Sequence, residues 1–155
     1  MEACRTATVG EHTLWNSSDG SRHKVCRAAH HPNYDISILH LERPVQMGLR
    51  AVRACLPTLK YAGDFLAGKL MTVSGWGLLN GTFNENETFN LNDIMVHKGP
   101  NNLQVVKVPG ISNEVCEQKY KGEGLISSAE LCAGDVHVGG LDSCSGDSGG
   151  NLLNI

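Results

Sequence analysis

The sequence predicts an all-β protein with one short helix. Three observations carry that prediction. Glycine makes up 18 of 155 residues, against roughly 7 % in an average protein, which suits a chain with many tight turns. Apolar residues fall in runs of strand length, bounded by Gly, Pro and Asn. One stretch, Ser112 to Tyr120, reads as a short helix. Hydrophobic residues are 41 % and charged residues 19 %, a globular composition, and the length suffices for a domain with a core. There is no internal repeat and no low-complexity tract.

The elements follow in chain order. "DISILHL", Asp35 to Leu41, is an apolar-rich run bracketed by Pro32 and Pro44 and reads as a strand. "KLMTVSGWG", Lys69 to Gly77, reads as a strand ending in glycine. Between Gly77 and Leu103 lies a polar, Asn-rich stretch that reads as a long exposed loop. "LQVVKVP", Leu103 to Pro109, is a further strand, stopped by a proline that has no N–H to donate. "SNEVCEQKY", Ser112 to Tyr120, is the helix. Ser112 is its N-cap, Glu114 lies in the first turn, and Val115 and Cys116 begin its buried face.

Net charge is −3 with no basic patch, which argues against a nucleic-acid partner. No run reaches membrane-spanning length. Six cysteines (Cys4, Cys26, Cys55, Cys116, Cys132 and Cys144) and three N-x-[ST] acceptor sites (Asn16, Asn80 and Asn86) favour an oxidising, secreted route with glycosylation. The competing reading is a cytosolic protein with reduced thiols. The first residues, "MEACRTATVG", have no apolar signal-peptide core. The cysteines form no C-x-x-C pair and His30 and His31 are adjacent, so no metal site is expected.

"GDSGG", Gly146 to Gly150, is the chemically informative motif. A nucleophilic serine needs its hydroxyl presented on a tight turn, with backbone N–H groups aimed at the developing oxyanion. Flanking glycines permit that backbone. The competing reading is a glycine-rich turn without chemistry. Five specified residues at roughly 7 % each arise by chance about once in a million starts.

Further motifs stand in order: "HPNYDISILHLERPV", "ACLP", "VSGWG", "VPGISNEVC", "ELCAG" and "DSCSGDSGG". Together, from about Gly10 to Leu152, they resemble the trypsin-like (chymotrypsin-family, S1) serine endopeptidases. The resemblance implies a double β-barrel, here partial: residues 1–48 the end of the first barrel, 49–60 a linker, 61–155 the start of the second. It implies Ser148 as nucleophile, the N–H groups of Gly146 and Ser148 as oxyanion hole, and Asp35 as a buried carboxylate that orients the catalytic histidine. Asp142 matches the base of the specificity pocket, which implies cleavage after Lys or Arg. Asp147 resembles the residue that pairs with a new α-amino group on activation. Cys116 and Cys132 match a family disulfide; Cys55 and Cys144 match cysteines whose partners lie outside this sequence; Cys4 and Cys26 match no assigned position. Polypeptide substrates and protease inhibitors, serpin-like among them, are the implied partners.

The sequence also departs from the family. No histidine stands in the A-A-H-C context upstream of Asp35; His30, in "RAAHHP", is too close to it. The activation site and the strands after the serine are not present. Gly-Gly-Pro becomes Gly149-Gly150-Asn151, and Met71 stands where many members carry a cysteine. The expectation is therefore an inactive, marginally folded fragment of a protease, the alternative being a non-catalytic homologue that acts as a protein-binding module. No cofactor is expected. Calcium enters only because "GEHTLWNSSDGSRHK" aligns with a loop that binds it in some relatives. Glu11 and Asp19 offer carboxylates there, but Arg22 and His23 occupy positions where a further acid would help.

Overall fold

A computed structural model describes residues 4–14, 19–57, 64–79, 99–120, 130–137 and 139–154. The chain divides into two compact units, Met1–Cys55 and Leu56–Ile155. The acceptor sites Asn16, Asn80 and Asn86, and most of the Asn-rich stretch, lie outside the described residues.

The first unit holds one antiparallel sheet in the order β1-β2-β3, with β1 Arg5–Val9, β2 Ser21–His30 and β3 Ser37–Leu41. Its buried residues are His23 and Val25, two apart on β2 and therefore on one face of the strand. Buried polar groups need partners. His23 Nδ1 lies 3.2 Å from the Arg43 carbonyl oxygen and Nε2 lies 3.0 Å from Ser21 Oγ. The carbonyl can only accept, so Nδ1 donates to it. Pairing with β3 jumps from Val25↔Leu41 to Arg27↔His40, leaving Cys26 as the extra residue of a β-bulge. Cys26 is bonded to Cys4, beside the Arg5↔Val25 pair, with Cα atoms 4.3 Å apart.

The second unit holds a sheet in the order β6-β5-β4-β7, with β4 Leu70–Gly75, β5 Gln104–Ile111, β6 Cys132–Ala133 and β7 Asn151–Leu153. A 3₁₀ turn, Asp64–Leu66, precedes β4 and the helix α1, Asn113–Lys119, follows β5. Met71 and Val108 are cross-strand partners and both are buried, as is Cys116 on α1. These three are the most buried apolar side chains among the described residues. Ser112 caps α1, its hydroxyl oxygen accepting from the Val115 N–H at 3.3 Å. Glu114 in the first turn and Lys119 in the last complement the helix dipole. Cys116 is bonded to Cys132, joining the helix to β6.

Two local expectations are corrected. β5 does not stop at Pro109; it continues to Ile111. There it exchanges partners, from Leu70↔Pro109 on β4 to Gly110↔Ala133 on β6. The ladder survives because Gly110 donates to the Lys69 carbonyl at 2.8 Å and Gly134 donates to the Pro109 carbonyl at 2.9 Å. Val115 is exposed. The burying contact of α1 runs through Cys116 and its bond to β6, which leaves the neighbouring position to solvent.

Replacing Met71 by Ala opens a cavity beside Val108 and is expected to lower stability by about 2–5 kcal/mol. Val105→Ala, on the exposed side of β5, should stay within about 0.5 kcal/mol of the parent. Opening the Cys116–Cys132 bond should cost about 3 kcal/mol through the freed 16-residue separation. Urea unfolding midpoints of the three variants check all of these.

Candidate active site

The segment around Ser148 is two consecutive β-turns. Asp147 N–H donates to the Cys144 carbonyl at 2.9 Å, and Gly150 N–H donates to the Asp147 carbonyl at 2.9 Å. The third residue of each turn is a glycine at positive φ, Gly146 at 103° and Gly149 at 80°. Type II turns require this, and it is strained for residues with a Cβ. Ser148 is the second residue of the second turn and is exposed. β7 begins at Asn151 directly after it and pairs with β4 through Ser74↔Asn151, where Ser74 Oγ–H donates to Asn151 Oδ1 at 2.8 Å.

Asp147 ties both turns to the end of β4. Its Oδ1 accepts from the Gly77 N–H at 2.8 Å and its Oδ2 from the Cys144 N–H at 3.0 Å. Leu78 N–H donates to the Ser145 carbonyl at 3.0 Å. Gly75 ends β4 and Gly77 follows two residues later. A Cβ on either would overlap the Asp147 carboxylate. The glycines of "GWG" leave room for an acid seventy residues further on, a link that the motif alone does not disclose.

The sequence-predicted residues divide between the two units. Gly146, Ser148 and Asp142 lie in the second. Asp142 is exposed; its Oδ1 accepts from the Ser143 N–H at 2.7 Å, and its carboxylate stands over Gly134 at the end of β6. Asp35 lies in the first unit, in a bend before β3, and is exposed rather than buried. β3 is an edge strand of that unit's sheet, and Ile36 and Ile38 beside Asp35 are exposed too. The histidines next to Asp35 are engaged elsewhere. His30 Nδ1 lies 2.7 Å from Ser37 Oγ, and His31 Nδ1 accepts from the Asn33 N–H at 3.1 Å.

A Trypsin family model matches residues 3–155. The chain belongs to the trypsin family of serine proteases. It is 38 % identical over 128 residues to transmembrane protease serine 11G of Mus musculus, covering 81 % of this chain and 26 % of that protein. It is 36 % identical over 125 residues to trypsin zeta of Drosophila melanogaster, covering 77 % and 38 %. Trypsin-2 of Salmo salar is 32 % identical over 154 residues, covering 94 % and 57 %. The structure resembles that of neuropsin, a serine protease expressed in the limbic system of mouse brain, with a TM-score of 0.76 at 25 % identity. That match covers 99 % of this chain and 63 % of neuropsin. The chain thus spans between about a quarter and somewhat over half of the length of these relatives. Among the described residues, the mostly β architecture with one short α-helix agrees with a partial trypsin-like double barrel. No described helix is long and apolar enough to cross a membrane.

Glu11 and Asp19, the carboxylates named for calcium, interact with each other. Asp19 Oδ2 already accepts from the His12 N–H at 3.2 Å, and Arg50 Nη1–H donates to the Asp19 carbonyl at 2.6 Å. Burial, then hydrogen bonding and repulsion from Asp19, push the Glu11 carboxyl up from its ordinary range, against the pull of Arg22 and Thr8. Burial also acts upward on Asp19, but hydrogen bonds from Glu11 and backbone amides, with the Arg50 charge, outweigh it and hold Asp19 below its ordinary value. Calcium takes six to eight oxygens. Here two carboxylates face two guanidinium groups, and among the described residues no group of three or more His, Cys, Asp or Glu is arranged for a metal ion.

Gly77→Ala is expected to displace Asp147 and to lower stability by about 1–3 kcal/mol, as overpacking does. Gly48→Ala, at a position with open space around it, should change stability by no more than about 0.5 kcal/mol. Equal shifts in the two unfolding midpoints would remove the steric role assigned to Asp147.

Proposed function

We propose that the protein carrying this chain is a secreted serine endopeptidase that cleaves peptide bonds after Lys or Arg through an acyl-enzyme. The observation that supports it best is Ser148 exposed in the second of two consecutive glycine turns, with Asp147, the residue the turns share, bonded to Gly77 and Cys144. In the proposed reaction Ser148 Oγ attacks the carbonyl carbon of the scissile bond and its proton passes to a histidine base. The oxyanion collects at the Gly146 and Ser148 N–H groups, neither of which donates a hydrogen bond among the described residues. The amine leaves with the proton, and water then hydrolyses the ester. Asp35 orients the base. Asp142 receives the cationic side chain of the residue before the cleaved bond. Bonded pairs at Cys4–Cys26 and Cys116–Cys132 support the secreted route, with glycans at Asn16, Asn80 and Asn86, and inhibitors of the serpin-like kind as further partners.

None of the seven histidines stands in an A-A-H-C context. We therefore expect the 155-residue chain, made alone, to be inactive. A serine without its base loses about 10⁶ in turnover in an enzyme of related mechanism, about 8 kcal/mol of barrier.

The intact mass and peptide map of the native secreted protein are the first test. A species well above 16.7 kDa that contains an A-A-H-C peptide is expected. A 16.7 kDa product, glycans apart, would overturn the catalytic reading in favour of a binding module. In the active protein, Ser148→Ala should lower kcat/KM by about 10⁶. Asp142→Ser should reduce the preference for Lys and Arg substrates by roughly 10²-fold, the effect of unpairing a buried charge. Hydrolysis by the 155-residue chain alone that depends on Ser148 would refute its expected inactivity.

A further inference from the structure

Ser148 lies between two attachments of its turn to the sheet. The upstream one is the Asp147 carboxylate, which holds the Gly77 and Cys144 amides. The downstream one is Asn151, the first residue of β7. Asn151 is the cross-strand partner of Ser74 on β4, so the two side chains emerge side by side on one face of the sheet. Ser74 Oγ–H donates to Asn151 Oδ1 at 2.8 Å, an ordinary length for a hydroxyl donor. Both residues are half-buried. Only Ser148, Gly149 and Gly150 separate the two attachments, and the glycines have no side chain with which to hold the turn.

Packing does not account for an asparagine here. Asparagine is disfavoured in strands, where β-branched and aromatic side chains fit the pleated surface better. Asn151 Nδ2 is shielded from water and makes no hydrogen bond among the described residues. A buried donor without an acceptor lowers stability. The contact that the Asn151 amide does make is the one to Ser74, next to Gly75, whose bare α-carbon gives room to the Asp147 carboxylate. Both attachments of the serine turn thus reach the same end of β4.

We propose that Asn151 is a positioning residue for Ser148: its Oδ1, held by Ser74, fixes where β7 starts and so fixes the downstream end of the turn that carries the hydroxyl. The proposal rests on the reading of Ser148 as the nucleophile. Asn151 touches neither the substrate nor the reacting atoms; it acts through the backbone between itself and Ser148. The chemistry is sensitive to such a constraint. Attack requires the oxygen within about 3–3.5 Å of the carbonyl carbon, and a displacement of about 1 Å can cost on the order of a hundredfold.

Kinetics of the full-length active protein test it. The double variant Ser74→Ala/Asn151→Leu removes both partners and the unpaired donor together, replacing them with apolar groups of similar size. Such paired replacement is nearly neutral for stability. The urea midpoint and KM are expected to stay at the parental values, while kcat falls on the order of tenfold, as a displacement smaller than 1 Å would cause. Asn151→Asp keeps an acceptor for Ser74 and should retain most of kcat. A double variant with parental kcat would overturn the proposal, and so would one in which KM rises and kcat does not change, since that assigns the pair to substrate binding. If the double variant does not fold, Ser74→Ala alone decides: kcat should fall on the same order, and parental kcat would overturn the role. Ser148→Ala separates this proposal from the reading beneath it. Activity that survives Ser148→Ala refutes the nucleophile itself, whereas an inactive Ser148→Ala beside a fully active double variant refutes only the positioning by Asn151.

Discussion

The turn that presents Ser148 is tied to the sheet chiefly through the Asp147 carboxylate and backbone. One oxygen holds the Gly77 amide and the other holds the Cys144 amide. The same residue closes one turn with its N–H and opens the next with its carbonyl. Hydrogen bonds to an ionised acceptor are the stronger kind, and here two of them converge on a half-buried group. The turn is thereby tied to β4 before β7 begins to pair with it. The geometry of the serine is a property of the sheet as much as of its own glycines.

That arrangement explains why the glycines of this region are not interchangeable. Gly146 and Gly149 are needed for their positive φ. Gly75 and Gly77 are needed because a carboxylate fills the space that their Cβ atoms would take. Gly150 combines neither reason: its Cβ would press on the Asp147 carbonyl oxygen. Five glycines in two short stretches therefore answer to three separate constraints.

Much of this was legible in the residues. β3, β4, β5 and α1 coincide in the main with their apolar runs and with the Ser112 cap, because those signals are local. β1 and β2 were not legible. Their residues, such as Arg5, Arg22, Lys24 and Arg27, are mostly polar, and on β2 only His23 and Val25 are buried. Nor was the Cys4–Cys26 bond, which depends on a cross-strand register that no spacing rule reveals. Pro109 misled because its missing donor falls where β5 changes partners and where Gly110 supplies the next bond. The serine motif was plain from its composition. Its support by Asp147 was not, since contacts across seventy residues leave no local trace. Asp35 shows the same limit from the other side. The motif around it is recognisable, yet burial is set by what packs over a residue, and Asp35 is exposed among the described residues.

The exchange of partners along β5 has a further consequence. Up to Pro109 the strand pairs with β4, and from Gly110 it pairs with β6. β6 carries Cys132, which is bonded to Cys116 on α1. The helix is therefore tied covalently to the strand that takes over where β4 leaves off. Parts of a fold joined in this way open together rather than one by one, so α1, β6 and the end of β5 form one cooperative patch.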